Sequence, residues 1–398
     1  MSSCGSNSRA GRRERLVGRR AAVLNVCLDA TAVPAKPGGA GRYVISLAGA
    51  LAAGDDVDVT VVCRQGDRAR WEQQVGSEPV IDVAPTRRPL RLAWEQAALP
   101  RLLNRLPVDV HHGPHYTMPL ISNRPTVVTV HDLSFFSHPE WHQPAKVAFF
   151  RGAIRVASAR ADAIVAVSRA TADRLEARSR PRAPVHVIPH GVDHDRFRPA
   201  LGADESAADE AARARLGIEP GRRYVAFVGT LEPRKDVPSL VRAFDLIAPG
   251  HPDVTLVLAG NRGWGGAAVD SAVAAARTRD RIVVTGYVTD AENVALLRGA
   301  AAVAYPSLEE GFGLPALETL ACGTPLVTTS GSAMEEVALG SALLVTPGDV
   351  DGLAGALDAT LSGGPEVERR RQHGLEVAAG HTWQESAAAH ARLYRSVR

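Results

Sequence analysis

Two kinds of hydrophobic pattern alternate along this chain. Short, continuously apolar runs rich in β-branched residues recur at 22–28, 57–63, 80–83, 108–111, 126–130, 163–167 and 185–188. Between several of them lie helix-like stretches, at 42–53, 92–103, 145–158 and 169–177. Alternation of this kind predicts βα units around a largely parallel sheet. The pattern then lapses: residues 199–222 are polar and alanine-rich, bounded by Pro199 and by Pro220 and Gly221, and predict a linker. It restarts with strands expected at 224–228, 254–259, 282–285, 301–305, 325–328 and 343–345. The predicted fold class is therefore α/β, with two Rossmann-like doubly wound domains facing a central cleft at the carboxyl ends of their strands. A length of 398 residues suits two cores better than one. The expected division is a basic, disordered tail over 1–20, a first domain over 21–198, a linker over 199–222 and a second domain over 223–380. Residues 381–398 form a last helix that, by analogy with such folds, crosses back to the first domain.

Composition narrows the function. A formal charge of +3, from 46 basic and 43 acidic residues, gives no whole-molecule argument for nucleic acid. Cys4, Cys27, Cys63 and Cys322 fall in no metal-ligand or CxxC spacing and suit a reducing cytosol. No run approaches the roughly 18 apolar residues of a membrane span. The expected location is cytoplasmic, with peripheral contact at an anionic membrane face open to the arginine-rich tail (Arg9, Arg12, Arg13, Arg15, Arg19, Arg20). Residues 87–106 interleave arginines with Trp94 and leucines. They fit either a membrane-resting helix or, since Pro100 interrupts them, a cleft-flanking helix with a buried face, which is the expected reading. Lysine occurs only at 36, 146 and 235, a bias that genome composition accounts for.

The most informative stretch is YPSLEEGFGLPALETLACGT, 305–324. A strand end is followed by a glycine-bearing loop, and Leu314 and Pro315 open a helix, where proline is preorganised. Free amides at such a start make a diphosphate cradle that needs no metal. Glu310 precedes the helix and Glu318 lies one turn inside it, so each carboxylate can accept from hydroxyls, one set on a sugar and one on a ribose. The same residues also fit a capped helix with an acidic first turn. Arg234 and Lys235 follow the first strand of the second half, where a cation meets phosphate oxygens, although that loop also reads as a solvated helix start. The turn at Gly38 and Gly39 opens a helix after strand one, and His131 ends the strand at 126–130, placed to donate to a substrate hydroxyl or to serve structure alone.

Taken in order, GGAGRY (38–43), HDLSFFSHPEWH (131–142), AVS (166–168), IPHGVD (188–193), GTLEPRKD (229–236) and EGFGLPALE (310–318) resemble the retaining GT-B glycosyltransferases of family four, most specifically in the last motif. The resemblance runs from about residue 21 to the end of the chain. It implies metal-independent transfer of a sugar from a nucleoside-diphosphate donor to a glycan, lipid or small-molecule acceptor, with no cofactor and no nucleic-acid partner. The base, GDP or UDP, is left open, with GDP-mannose the first guess from the mannosyltransferase-like branch. By the same resemblance Glu310, Lys235 and His131 are catalytic. Glu310 binds sugar hydroxyls beside the amides of Phe312 and Gly313, Glu318 holds the ribose, and Lys235 grips the diphosphate. His131 touches the sugar from the opposite domain, Gly38 and Gly39 lie under the diphosphate and acceptor, Val288 lines the base pocket and His112 meets the acceptor. One departure concerns position 230: many members carry arginine there and this chain has Thr230, so Arg234 must supply any second cation, although chain neighbours usually point apart.

Three D-x-D patterns (56–58, 193–195, 349–351) sit in no convincing strand-end site, and Gly113 and Pro114 break the spacing of His111, His112 and His115, so no metal site is expected. Three rivals act without transfer to an acceptor hydroxyl: a nucleotide-sugar epimerase or hydrolase of the same fold, a phosphorylase with a pyridoxal lysine, and a silent nucleotide-sugar-binding protein.

Overall fold

A computed structural model describes residues 23–263 and 265–398; the tail over 1–20 lies outside the described residues. The first sheet holds β1 (Leu24–Asp29), β2 (Val57–Arg64), β3 (Val80–Ala84), β4 (Val110–Gly113), β5 (Thr126–Val130), β6 (Ala163–Ala166) and β7 (Val185–Val187) in the order 3-2-1-4-5-6-7. The second holds β8 (Arg223–Val228), β9 (Val254–Ala259), β10 (Ile282–Gly286), β11 (Ala302–Tyr305), β12 (Leu326–Thr329) and β13 (Leu343–Val345) in the order 10-9-8-11-12-13. Every strand pairing within these sheets is parallel. The central strands are buried along their whole length, as in β5 and β9, because helices cover both faces. In each sheet the strand order reverses once, between β1 and β4 and between β8 and β11. Loops leaving the two strands at such a point diverge and open a crevice.

Two expected elements differ. The helix expected over 92–103 is two helices, Arg88–Ala97 and Leu99–Arg105, meeting at Ala98 beside Pro100, whose ring cannot continue the first. Trp94 packs with Leu99 and Leu103 in a small core against β1 and β2. The stretch 199–222, expected as linker, carries the helix Gly202–Arg215. That helix docks on the second domain through ions as much as oil: Arg298 pairs with Glu205 at 3.3 Å and with Asp209 at 3.2 Å. Its one buried residue is Ala212.

The helix Trp383–Val397 lies against the first domain, on the helix Gly39–Ala53 and on β1. A line of buried hydrogen bonds fastens it. Tyr394 Oη is 2.7 Å from His112 Nδ1, His112 Nε2 is 2.8 Å from Thr129 Oγ1, and Thr129 Oγ1 is 2.9 Å from Tyr43 Oη. Tyr43 Oη in turn is 2.9 Å from His390 Nε2, and His390 Nδ1 is 2.7 Å from the Ser386 carbonyl. A carbonyl only accepts, so His390 Nδ1 carries the proton and its Nε2 accepts from Tyr43. Each earlier member must then donate along the same direction, Thr129 to Tyr43, His112 to Thr129, Tyr394 to His112. Burial holds both histidines neutral, pushing His390 down to about 4 and His112 well below the usual histidine range. His112, expected at the acceptor, is thus enclosed as a link in this chain and reaches no cleft. The return is doubled by main chain, since Val192 N donates to the His381 carbonyl at 3.1 Å.

Candidate active site at the cleft

The helix Leu314–Ala321 starts in the crevice of the second sheet, beyond β11. Gly313 caps it with φ of 102°, and a Cβ there would come within 2.7 Å of Met334 Cγ, so glycine is required twice over. No side chain caps this end. Pro315 has no N–H and the Ala316 amide donates to the Gly313 carbonyl at 2.9 Å, which leaves the Leu314 amide at this end for a ligand, and the helix dipole favours an anionic one.

On the other side of the same crevice, β8 leads into a single 3-10 turn, Pro233–Lys235. Side chains one residue apart on such a turn are separated by a third of a revolution, not a half as in a strand. Arg234 and Lys235 therefore converge, against the expectation that neighbours point apart. Arg234 Nη1 lies 2.6 Å from Glu310 Oε2, and Lys235 Nζ pairs with Glu310 Oε1. Arg234 also reaches Glu232 at 2.9 Å. Burial alone would push the Glu310 carboxyl up; the two cations outweigh it and hold it at about 2. Burial and then Arg234 push the Lys235 ammonium down, against the pull of Glu310. With Glu232 on Arg234, two cations face two carboxylates and the cluster is balanced, so an anion entering here takes the place of a carboxylate on Arg234 and Lys235.

Glu318 is buried one turn into the helix, where Arg42 of the first domain reaches it at 3.2 Å and also reaches Asp290 at 3.3 Å. Burial pushes the Glu318 carboxyl up to about 7, and Arg42 and a hydrogen bond from the Asn293 side chain pull against it. Arg42 projects from the first turns of the helix Gly39–Ala53, whose start has Gly38 as an exposed cap and no side-chain bond. A Cβ at Gly38 or Gly39 would meet nothing within 4 Å, so protein packing demands glycine at neither. Val288 is half-buried against the second core, beside exposed Tyr287, whose ring carries the Lys36 amine at 5.4 Å.

His131 is buried at the end of β5 with Nε2 2.8 Å from the Pro114 carbonyl. Nε2 must donate there, and burial lowers the ring's pKa, so its remaining nitrogen, Nδ1, accepts. The expected donation to a substrate hydroxyl is thereby reversed: the ring can take a hydrogen bond from one. The main chain of His131 sits directly on Gly311, where an added Cβ would stand 1.7 Å from its carbonyl oxygen. Ser168 Oγ and Thr171 Oγ1 donate to the Gly311 carbonyl at 2.6 and 2.9 Å. Glu336 of the second domain returns the grip, accepting from the amides of Arg169 at 2.7 Å and Ala170 at 3.0 Å. Phe312 is buried against His190, ring centroids 4.5 Å apart, and His190 lies 4.7 Å from the Tyr43 ring.

The crevice thus gathers Glu310, Lys235, Arg234, Glu318, Phe312, Gly313, His131, Gly38 and Gly39, and excludes His112. Sequence reasoning missed Arg42, Asn293, Ser168, Thr171 and His190. Arg42, Ser168 and His190 stand inside quoted motifs without a role. The D-x-D acids have other work: Asp56 pairs with Arg395 at 2.6 Å, Asp193 accepts from two amides following it, and Asp349 caps a helix at Gly352 N. Among the described residues no helix is long and apolar enough to cross a membrane.

Two family models match the chain, Glycosyltransferase Family 4 over residues 37–196 and Glycosyl transferases group 1 over 208–376. O-antigen chain mannosyltransferase B of Escherichia coli is 28% identical over 290 residues, 72% of this chain and 74% of that protein. D-inositol 3-phosphate glycosyltransferase of Mycobacterium sp. strain KMS is 38% identical over 192 residues, 47% of this chain but only 41% of that relative's length. The solved structure of Anabaena HepE with UDP and glucose superposes with a TM-score of 0.75 at 20% identity, covering 94% of this chain and 100% of that one.

Proposed function

Because the chain belongs to glycosyltransferase family 4 and has the GT-B fold, we propose that it is a retaining, metal-independent enzyme whose cleft holds a nucleoside-diphosphate sugar in one particular way. The observation that carries this reading is the buried Glu310 carboxylate bridged by Arg234 and Lys235 at the uncapped start of the helix Leu314–Ala321. The diphosphate takes the place of Glu310 as partner of the two cations. The carboxylate so released accepts from hydroxyls of the sugar. Glu318 takes the ribose diol, and His131 Nδ1 accepts from a sugar hydroxyl across the cleft.

With arginine and lysine on the phosphates, charge that develops as the sugar departs meets fixed cations without a metal ion. The acceptor oxygen attacks C1 from the face the diphosphate leaves. The bond from C1 to the phosphate oxygen breaks, the bond to the acceptor oxygen forms, and the acceptor proton passes to the departing phosphate. Mannose from GDP-mannose is the first donor to try, on the motifs and on the name of the Escherichia coli relative. The UDP bound in the Anabaena structure makes uridine donors the second.

A thermal-shift panel of GDP, UDP, ADP, dTDP and their sugar conjugates, run without added metal, tests the donor cleft, since ligand that binds only the native state raises the melting temperature. One diphosphate should shift the wild type clearly. Lys235→Ala should weaken that ligand about 10- to 100-fold, the effect of losing one hydrogen bond to a charged group. Unchanged affinity in the variant, or no shift with any nucleotide, would sink the reading.

The Glu318 carboxyl adds a pH test. Its folded pKa, about 7, is raised above the unfolded value, so its contribution to stability is fullest at low pH and declines as pH rises through the window from 4.5 to about 7. A diol needs the ionised carboxylate, so affinity for a nucleotide sugar should rise between pH 6 and pH 8, a range over which a diphosphate diester keeps its charge. Glu318→Gln should flatten that rise. A wild-type profile as flat as the variant's would remove Glu318 from the ribose.

A further inference from the structure

We propose that the acceptor is an anion, a phosphorylated sugar or lipid, held in a cavity of the first domain; this rests on the transferase reading above and names its second substrate. The cavity, about 390 Å³, lies at the carboxyl ends of the first sheet and is lined in part by Arg64, Arg88, Arg91, His142, Lys146 and Phe149. Among the described residues no carboxylate lines it. In a chain whose acids and bases nearly balance, four cations around one cavity with no lining acid is a local excess that selects for negative charge.

The four cations are not equally engaged. Arg64 is occupied, paired with Asp67 at 3.3 Å and bonded to the Val33 carbonyl. Arg91 is held by Glu95 at 3.1 Å and Thr31 at 3.2 Å, with a charge only partly balanced near neutrality because burial pushes Glu95 up to about 7. Arg88 and Lys146 are exposed at the rim. The guanidinium of Arg88 lies 5.2 Å from the Phe149 ring and 5.8 Å from Phe150, which fixes its plane without neutralising it. Lys146 is one of three lysines in the chain, and the other two, Lys36 and Lys235, stand at Tyr287 and at Glu310.

Position supports the same ligand. The cavity's His115 ring is 5.8 Å from His131, and His142 feels the charges of Glu232 and Arg234 from the opposite domain. A molecule anchored by its phosphate on Arg88 and Lys146 would extend a hydroxyl toward the donor sugar, with Phe135, Phe149 and Phe150 offering the apolar faces that sugar rings and prenyl chains pack on.

The test titrates the full chain, free and saturated with its preferred nucleoside diphosphate, with glucose, glucose 6-phosphate, geranyl diphosphate and inorganic pyrophosphate. At least one phosphorylated probe should bind about tenfold or more tightly than glucose, and Arg88→Ala/Lys146→Ala should abolish that preference while leaving nucleotide affinity unchanged. Preference for glucose 6-phosphate assigns a soluble sugar phosphate; preference for geranyl diphosphate assigns a lipid-linked acceptor. Phosphorylated probes no tighter than glucose, or a double variant that still prefers them, overturn the proposal. Failure of every nucleotide to bind counts against the donor site instead, and the titration of the free protein still decides this one.

Discussion

Glu310→Gln should lower kcat by roughly two orders of magnitude while nucleoside-diphosphate affinity holds or improves. The first effect follows from the carboxylate's proposed place on the sugar, where removing one preorganised electrostatic contact typically costs about 10²- to 10³-fold. The second follows from the ion pairs. Glutamine keeps the shape but leaves Arg234 and Lys235 without their buried anion, so a diphosphate no longer has to displace one. Breaking a buried pair from one side destabilises by about 3–5 kcal/mol. The free variant should therefore melt below the wild type and recover more than the wild type does when nucleotide is added. Steady-state kinetics beside a melting curve with and without nucleotide separates the two effects. A variant with near-normal turnover would show that Glu310 only balances charge.

The second large effect is expected from a single methyl group. Gly311→Ala places a Cβ 1.7 Å from the His131 carbonyl oxygen, a distance no pair of atoms tolerates, although its backbone does not adopt the left-handed region. The clash is between a Cβ, whose position the backbone fixes, and a main-chain oxygen of the opposite domain, so no rotamer change relieves it. The domains must part by an ångström or more, and the bonds from Ser168 and Thr171 to the Gly311 carbonyl open with them. Misplacement on this scale costs about 10²-fold in rate when reacting groups come from both sides. We expect kcat/KM to fall by that order, nucleotide affinity to stay within a few-fold, and small-angle scattering to report a larger radius of gyration. Wild-type activity at an unchanged radius would mean that the contact between Gly311 and His131 is dispensable.

Much of this could be read from the sequence, and the failures have physical causes. The two sheets were legible because strands such as β5 and β9 are apolar without interruption, a pattern that parallel sheets impose. The carboxylates Glu310 and Glu318 were legible because a strand end, a glycine loop and a proline-opened helix fix their spacing. The helix Gly202–Arg215 was not, because it docks through Arg298 on Glu205 and Asp209 and so looks polar all round. The convergence of Arg234 and Lys235 depends on a 3-10 turn that local composition does not announce. The enclosure of His112 rests on Thr129 and on Tyr394, the latter 282 positions later. Long-range pairing of that kind leaves no local trace.

The returning helix sets a schedule for synthesis. When the ribosome has released residues 24–187, the first sheet has all its strands but the groove for Trp383–Val397 is empty, with the Tyr43 hydroxyl, Thr129 and His112 at its floor. These groups stay wet or find makeshift partners until some two hundred further residues have been made, which takes about 10–40 s at typical elongation rates. The second domain, whose strands and helices are contiguous from 202 to 379, is free to finish in that interval. The half made first is thus the half completed last, because the element that closes it is the final helix to be made.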